Sequence, residues 1–208
     1  MKIIDFPQGS EAWKQARAGL VTASRIDDVL AKIKSGEAAA RADYKAQIVA
    51  EILTGRPQDD GYVSPEMQWG TDNEELARSA YEVQAGLLVD QVGLVVHPRL
   101  DRAAASPDGL SGRIGLEIKC PKTNTHLQYL LAGEVPKKYQ PQMLWQMACG
   151  ELDAVDFVSF DPRLDGSLQL LVVRFTRDDK RIAEMEAEVE QFLAEVDEIV
   201  GKLRARAV

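Results

Sequence analysis

The segment that most constrains the fold is residues 113–119, RIGLEIK, where apolar side chains alternate with others. In a β-strand, side chains two positions apart point to the same face of the sheet. The apolar set of this segment is Ile114, Leu116 and Ile118. If that set faces a core, Glu117 and Lys119 project together from the opposite face. The alternation therefore predicts a half-buried strand that holds a carboxylate and an ammonium group side by side.

The turn before this strand supplies a second carboxylate. Residues 106–112, SPDGLSG, have turn composition, so Asp108 can fold back beside Glu117. Two neighbouring carboxylates, together with the backbone carbonyl of Ile118, offer the oxygen ligands that Mg²⁺ prefers. Lys119 would adjoin a water on that ion, which it could orient or help to deprotonate. The pattern therefore predicts metal-assisted hydrolysis of a phosphodiester.

Each part of this pattern also has a plainer interpretation. Pro-Asp-Gly is a common β-turn, and an acid two residues before a lysine occurs three times in the chain. One of the other two triplets begins at Asp43, in a helical pattern where positions two apart do not share a face. The other begins at Asp178, at the start of a helix, where acids are favourable anyway. Only the triplet at Glu117 lies on an alternating strand, and this context favours the functional interpretation.

The spacing of apolar residues along the chain predicts an α+β (α/β) fold. Ser24 is a good N-cap for the second helix. Helices are predicted within 1–20 and over 24–34, 39–54, 66–85, 123–132, 137–149 and 178–206. Strands are predicted over 87–97, 102–106, 113–119, 154–160 and 168–176. This order predicts one domain over 1–208, a central mixed β-sheet flanked by helices, and a long C-terminal helix that packs on the core of its own domain rather than on a coiled-coil partner.

Composition limits the classes of function. The net charge of −8 and the pI of about 4.9 argue, taken alone, against binding to nucleic acid. The sign of the charge inside a cleft matters more than the total, however. Two cysteines and two histidines argue against a disulfide framework and a His-rich metal site. No apolar run reaches the ~18 residues of a membrane span, so no membrane association is expected.

Several motifs follow one another in an order that resembles a known family. They are Trp13, Arg17 and Gly19; Val21-Thr22-Ala23-Ser24; Trp69-Gly70 with Glu74; Ser106-Pro107-Asp108-Gly109-Leu110; Leu116-Glu117-Ile118-Lys119-Cys120-Pro121; Tyr139 with Gln142; and Asp161-Pro162-Arg163. This string resembles the lambda-type phage exonucleases, the viral recombinase or alkaline exonuclease family of the PD-(D/E)XK nuclease superfamily. The resemblance spans about residues 10–165 and implies a PD-(D/E)XK nuclease-like core.

The resemblance implies a role for each residue of the metal site. Asp108, Glu117 and the Ile118 carbonyl match the metal ligands, and Lys119 matches the catalytic lysine. Glu74 matches a helix carboxylate that supports the metal site, although acids on a helix more often form a solvated face. The implied cofactor is Mg²⁺, with Mn²⁺ as a possible substitute, and two ions are expected. Glu51, on another helix, is a weaker candidate for metal contact.

The resemblance also implies a pocket for the 5′-phosphate of the strand being degraded. Its residues match Arg17, Ser24, Ser106 and Gln142. Arginine offers two parallel donors to phosphate oxygens, and hydroxyl and amide groups can complete the cradle. Plainer roles remain open for them, such as N-cap, turn residue or surface charge. Trp13 and Trp69 are expected in the core.

Members of the resembled family form ring-shaped homotrimers on duplex ends. They degrade the 5′-ended strand to mononucleotides and leave a 3′ overhang for a single-strand annealing protein. This implies a phage or prophage protein in the cytoplasm of a bacterial host. Candidates for the basic lining of the channel are Lys137, Lys138, Arg56 and Arg41. Two alternatives stay open: a structure-specific or restriction-type endonuclease on the same core, and a catalytically silent module that binds DNA ends or protein.

Overall fold

A computed structural model describes residues 1–58 and 61–206, and the first half of the chain is mainly helical. The helices are α1 (Glu11–Arg17), α2 (Ile26–Leu30), α3 (Ala39–Thr54), α4 (Pro65–Ala85), α5 (Thr123–Ala132), α6 (Gln140–Gly150) and α7 (Asp179–Arg206). The strands are β1 (Lys2–Ile4), β2 (Val21–Thr22), β3 (Leu94–Val96), β4 (Ala103–Ala105), β5 (Gly109–Ser111), β6 (Ile114–Lys119), β7 (Ala154–Phe160) and β8 (Leu170–Thr176). Short 3₁₀ turns occupy 23–25, 137–139 and 166–168.

The strands of the described residues form two mixed sheets. One has the order β1-β3-β4-β2 and the other the order β5-β6-β7-β8. Each sheet contains one parallel pair, β2 with β4 in the first and β6 with β7 in the second. The predicted α+β class is therefore confirmed, while the expected central sheet is divided into two sheets of four strands.

The division arises in the segment 87–97, which the sequence predicts as one strand. Asp90 pairs with Leu110 of β5, whereas Leu94–Val96 pairs with β1 and β4. Gly93 lies between these two pairings, and a Cβ built on it would clash with the carbonyl oxygen of Phe6. A close approach of the backbone at Gly93 thus accompanies the change from one sheet to the other.

Strand β6 lies inside its sheet and is covered on both faces. It runs antiparallel to β5 and parallel to β7. Leu116 packs in a small apolar cluster with Ala77 and Tyr81 of α4. Glu117 lies beside Phe157 of β7, which belongs to the larger core that includes α6 and α7. The prediction that one face of this strand is exposed is therefore wrong, and Glu117 is fully buried.

The long C-terminal helix packs on the main core, as its apolar stripe predicts. The buried residues of α7 are Ile182, Met185, Val189, Phe192, Leu193, Val196 and Val200. All of these residues belong to the larger core cluster. Leu203, which the sequence places on the same stripe, is 40% exposed, so the packing ends within the last two turns of the helix.

Helix α2 is shorter than the predicted 24–34. Ser24 is not the N-cap of α2, because it lies in the preceding 3₁₀ turn and the capping position is Arg25. Ile33, which lies inside the predicted range, follows the end of the helix and is 55% exposed. Ser24 consequently has no capping role for α2, and its hydroxyl faces Arg17. None of the helices in the described part of the chain has both the length and the apolar composition needed to cross a membrane.

Candidate active site

The turn between β4 and β5 places Asp108 against the backbone of β6. The Asp108 N–H donates to the Leu116 carbonyl at 3.0 Å, and the Asp108 Oδ2 accepts from the Ile118 N–H at 2.6 Å. These two bonds flank Glu117, so the two carboxylates come from adjacent positions of one hairpin. The carboxylate of Asp108 is thereby fixed by the backbone and not by a flexible surface contact.

The electrostatics of this pair are those of two acids held in a confined space. Burial and the nearby Glu117 raise the pKa of Asp108 to about 8, with a further contribution from Glu74 and opposition from Lys119. Burial by itself would lower the pKa of Lys119, but Glu117 and Asp108 outweigh it and raise that pKa above its ordinary value. Two ionised carboxylates here would exceed the charge of the single Lys119 ammonium, so the folded protein favours the protonated form of Asp108 at neutral pH.

Glu117 is held from the other side by helix α6. Its Oε2 accepts from Gln142 Nε2 at 2.9 Å and from Gln146 Nε2 at 2.5 Å, and its Oε1 pairs with the Lys119 ammonium. Gln146 was missed by the sequence analysis. The signal that could have found it is its position one turn after Gln142, which puts both amides on one face of the helix.

The donor set of Asp108 and Glu117 fits a hard divalent cation. Both groups are carboxylates, and a bound cation would offset the burial and the repulsion by Glu117 that raise the pKa of Asp108. Within residues 1–58 and 61–206, no group of three or more His, Cys, Asp or Glu side chains is arranged as a metal site. A metal at this place would use two side chains, a backbone oxygen such as that of Ile118, and solvent or substrate oxygens. Mg²⁺ is typically bound in this way, since it keeps several waters.

Glu74 reaches this region through an arginine. Arg78, one turn further along α4, binds Glu74 Oε1 through Nη2 at 2.6 Å and donates through Nε to the Asp108 carbonyl at 3.3 Å. Glu74, Arg78 and Asp108 line the same cavity of about 450 Å³. Arg78 was also missed by the sequence analysis. Through Arg78, Glu74 is linked to the backbone of Asp108 and is not simply part of a solvated helix face.

A second cavity, of about 580 Å³, contains Arg17 and Ser24. Arg17 Nη2 donates to Ser24 Oγ at 3.3 Å, and its guanidinium lies 4.0 Å from the centre of the Trp13 ring. Trp13 Nε1 in turn donates to Ser106 Oγ at 3.1 Å. Trp13 lines this cavity and does not lie in the core as expected. The structure thus brings Arg17, Ser24 and Ser106 together around Trp13, whereas Gln142 lies at Glu117.

Glu51 belongs to the wall of this second cavity and not to the first. Among the described residues, neither Asp108 nor Glu117 contributes to that wall, and Glu51 does not line the cavity that contains Asp108. Its carboxylate accepts hydrogen bonds from the backbone N–H groups of Gly19 and Gln58 and from the side-chain amide of Gln47. This environment gives no support to the expected contact between Glu51 and a metal ion.

The basic residues expected to line a channel differ in their surroundings. Arg41 is paired with Glu195 of α7, which fits a structural role better than contact with DNA. Arg56 is exposed in the turn after α3. Lys137 and Lys138 lie before α6, and Lys138 Nζ lies 4.7 Å from the centre of the Tyr139 ring.

Tyr139 lies between Lys138 and Lys119. Lys119 Nζ lies 5.4 Å from the centre of the same ring, so Lys119 and Lys138 flank one aromatic side chain. Lys138 is therefore in the neighbourhood of Lys119, which is paired with Glu117. Trp69 is partly buried against the smaller core cluster and carries the Arg163 guanidinium 4.4 Å from its ring centre.

The chain matches a family model and several solved structures. The model of the YqaJ-like viral recombinase domain matches residues 12–153. The structure of LHK-Exo in complex with dAMP is 42% identical, covers 95% of this chain and 98% of that chain, and has a TM-score of 0.87. The structure of the alkaline exonuclease LHK-Exo from Laribacter hongkongensis is 41% identical with the same coverage and a TM-score of 0.86.

A more distant structure shares the fold. A phage-related exonuclease from Haemophilus somnus 129PT is 16% identical, covers 88% of this chain and 96% of that chain, and has a TM-score of 0.65. A comparison with curated proteins gives no match.

Proposed function

Since the chain belongs to the family of YqaJ-like viral recombinase domains and is a nuclease, we propose that it degrades the 5′-ended strand of linear double-stranded DNA. Digestion would run 5′→3′, release mononucleotides and leave a 3′ overhang. The relative LHK-Exo has been crystallised with dAMP, a single nucleotide of the kind that such an exonuclease would release.

The observation behind this proposal is the short sequence separation between the Arg17 cluster and the carboxylate pair. Ser106, at the Trp13 and Arg17 cluster, stands two residues before Asp108 at the carboxylate pair. A 5′-phosphate bound at Arg17 and Ser106 would therefore lie at a fixed distance from the acids that promote cleavage. A fixed distance between the strand end and the cutting point favours removal of a unit of constant length, as an exonuclease requires.

The chemistry proposed for the carboxylate pair depends on Mg²⁺, with Mn²⁺ as a substitute and two ions at work. Asp108, Glu117 and the Ile118 carbonyl would hold the metal, which supplies positive charge to the phosphate as negative charge develops on it. Gln142 and Gln146 hold Glu117 in its orientation. Lys119, paired with Glu117, would place its ammonium at the attacking water or at a phosphate oxygen and so fix the geometry of attack.

The proposed assembly is a homotrimeric ring around the duplex. Lys138, which contacts the same Tyr139 ring as Lys119, and its neighbour Lys137 would then face the DNA backbone. The proposed biological partner is a single-strand annealing protein that receives the 3′ overhang. The proposed location is the cytoplasm of a bacterial host.

The test uses two DNA substrates of the same sequence, one linear and one covalently closed. Digestion of the linear form alone, with Mg²⁺ and not with chelator, and with mononucleotides as products, is the expected result. Nicking of the closed circle would instead indicate the endonuclease alternative. Binding of linear ends without cleavage under any metal would indicate the silent DNA-end-binding module.

A further inference from the structure

Beyond the proposed roles, we infer that Glu51 is a positioning residue that fixes Arg17 for recognition of the terminal phosphate. This inference rests on the proposed function of the Arg17 cavity. Glu51 lies on α3, is only 6% exposed and contributes to the cavity wall that also contains Arg17 and Ser24. The role assigned to it is indirect, because its hydrogen bonds go to the protein segments around that cavity.

The carboxylate of Glu51 ties two separate segments to α3. Its Oε2 accepts from the backbone N–H of Gly19 at 2.7 Å, two residues after Arg17. Its Oε1 accepts from the backbone N–H of Gln58 at 3.1 Å and from the Gln47 amide at 3.0 Å. A bond of 2.7 Å between Gln15 Nε2 and the Gly55 carbonyl joins the two segments directly. Glu51 therefore stands where the turn after α1 meets the loop after α3.

The turn that carries Arg17 depends on this anchor. Gly19 has a φ of +78°, and a Cβ at this position would lie 3.1 Å from the Ile52 side chain, so the turn packs closely on α3. The Leu20 N–H donates to the Arg17 carbonyl at 3.0 Å, which closes the turn around Gly19. A shift of the Gly19 peptide would move the backbone of Arg17, and with it the guanidinium.

A buried carboxylate near a phosphate site is electrostatically unfavourable, because it repels the phosphate. Here both oxygens of Glu51 already accept hydrogen bonds from N–H donors, two of them from backbone groups that have to be satisfied. Glutamine at this position would keep the shape of the side chain, but an NH2 group would replace one of the two oxygens. That NH2 group is a donor and would face the N–H donor that the oxygen now accepts from. Glu51→Gln therefore removes one of the two anchors with little change in volume.

The experiment measures kcat and KM on linear duplexes with 5′-phosphate or 5′-hydroxyl ends, for wild type, Glu51→Gln, Arg17→Ala and Asp43→Asn. Asp43 is exposed on the same helix, so Asp43→Asn matches the loss of a carboxylate charge without the anchor. We expect Glu51→Gln to lower the preference for phosphorylated ends about tenfold, which corresponds to the loss of about one hydrogen bond between Arg17 and the charged phosphate. The effect should appear mainly as a higher KM. Asp43→Asn should keep the wild-type preference.

Three outcomes would overturn the inference. A folded Glu51→Gln with the wild-type preference would show that Glu51 does not position Arg17. An increased preference would show that Glu51 acts only by repelling phosphate. An equal loss on both kinds of end would show a general structural role. If circular dichroism shows Glu51→Gln to be unfolded, Glu51→Asp, which keeps the charge but shortens the reach, is judged by the same ratio.

Failure of the inference is distinguishable from failure of the proposed function. If wild type itself has no preference for phosphorylated ends, the proposed phosphate cavity is wrong and the role of Glu51 falls with it. If wild type has the preference and Arg17→Ala loses it, while Glu51→Gln keeps it, only the inference about Glu51 is overturned.

Discussion

Replacing Asp108 by asparagine should stabilise the metal-free protein at neutral and alkaline pH. The asparagine side chain would keep an oxygen for the Ile118 N–H, whose bond Asp108 accepts at 2.6 Å, but would carry no charge. The charge is unfavourable in the folded state because burial and Glu117 raise the pKa of Asp108 from 3.8 to about 8. The folded protein thus holds this proton more tightly than the unfolded chain does.

The sign and size of the effect follow from that difference in pKa. The contribution of Asp108 to stability is complete below the unfolded pKa of 3.8 and is lost as the pH rises toward 8. At pH 7 the loss amounts to about 4 kcal/mol, since each pKa unit corresponds to about 1.4 kcal/mol. For a chain of this size such a difference shifts Tm by about 10 °C. Mg²⁺ should offset the loss in wild type, because it binds the folded state alone.

The assay is thermal unfolding of wild type, Asp108→Asn and the surface control Asp43→Asn between pH 5 and pH 9, with chelator and with Mg²⁺. In chelator, Asp108→Asn should have a higher Tm than wild type at pH 8 and a weaker decline of Tm with pH. Added Mg²⁺ should raise the Tm of wild type more than that of the variant. A variant that is less stable than wild type at pH 8 in chelator would show that the charge of Asp108 does not destabilise the folded protein.

Three further predictions address other parts of the molecule. Arg17→Ala should erase the preference for 5′-phosphorylated ends, because it removes a contact worth about 1.5–3 kcal/mol. The measurement is the ratio of kcat/KM on the two kinds of end, and an unchanged ratio would place the phosphate site elsewhere. Burial lowers the pKa of His97, although Glu186 opposes the shift. The stabilising contribution of neutral His97 is therefore present above its unfolded pKa near 6.5 and is lost as the pH falls below that value. Urea unfolding at pH 7.5 and 5.5 should therefore show a smaller pH dependence for His97→Gln, and an unchanged dependence would contradict this. Sedimentation should give a mass near three times 23.0 kDa at micromolar concentration, and a stable dimer would contradict the proposed ring.

Long elements with a clear apolar period could be predicted from the sequence. Helix α3 has the predicted bounds, Ala39–Thr54, and α4 begins one residue before its predicted start. Both end at glycines that adopt the left-handed conformation, Gly55 and Gly86, which the sequence marks as helix stops. Strand β6 was predicted within one residue for the same reason, since its alternation extends over the whole segment.

The short strands and the pairing of the sheets could not be predicted in this way. Strands β1, β2 and β5 have two or three residues each, too few for an alternation to be recognised. Their pairing depends on contacts distant in sequence, such as that of Ile4 with Leu94. A division into two sheets follows from these contacts and leaves no local signal in the segment 87–97.

The same distinction applies to the candidate site. The hairpin that joins Asp108 to β6 is local, so turn composition and alternation were sufficient to propose it. Gln146 and Arg78 act through partners on other elements, Glu117 and Asp108 respectively, and the sequence gives no distance between such elements. Trp13 was expected in the core because large aromatics are usually buried there, yet it lines the cavity of Arg17.

Asp108, Glu117 and Lys119 are proposed to form the centre that hydrolyses DNA. The most direct test is single-turnover cleavage of a 5′-phosphorylated linear duplex in Mg²⁺ by wild type, Asp108→Ala, Glu117→Ala, Lys119→Ala and the control Asp43→Asn, each shown to be folded by circular dichroism. Each of the three variants Asp108→Ala, Glu117→Ala and Lys119→Ala should cleave about a hundredfold more slowly or worse, and the control should cleave at the wild-type rate. A folded variant of any of the three residues that cleaves at the wild-type rate would contradict this proposal.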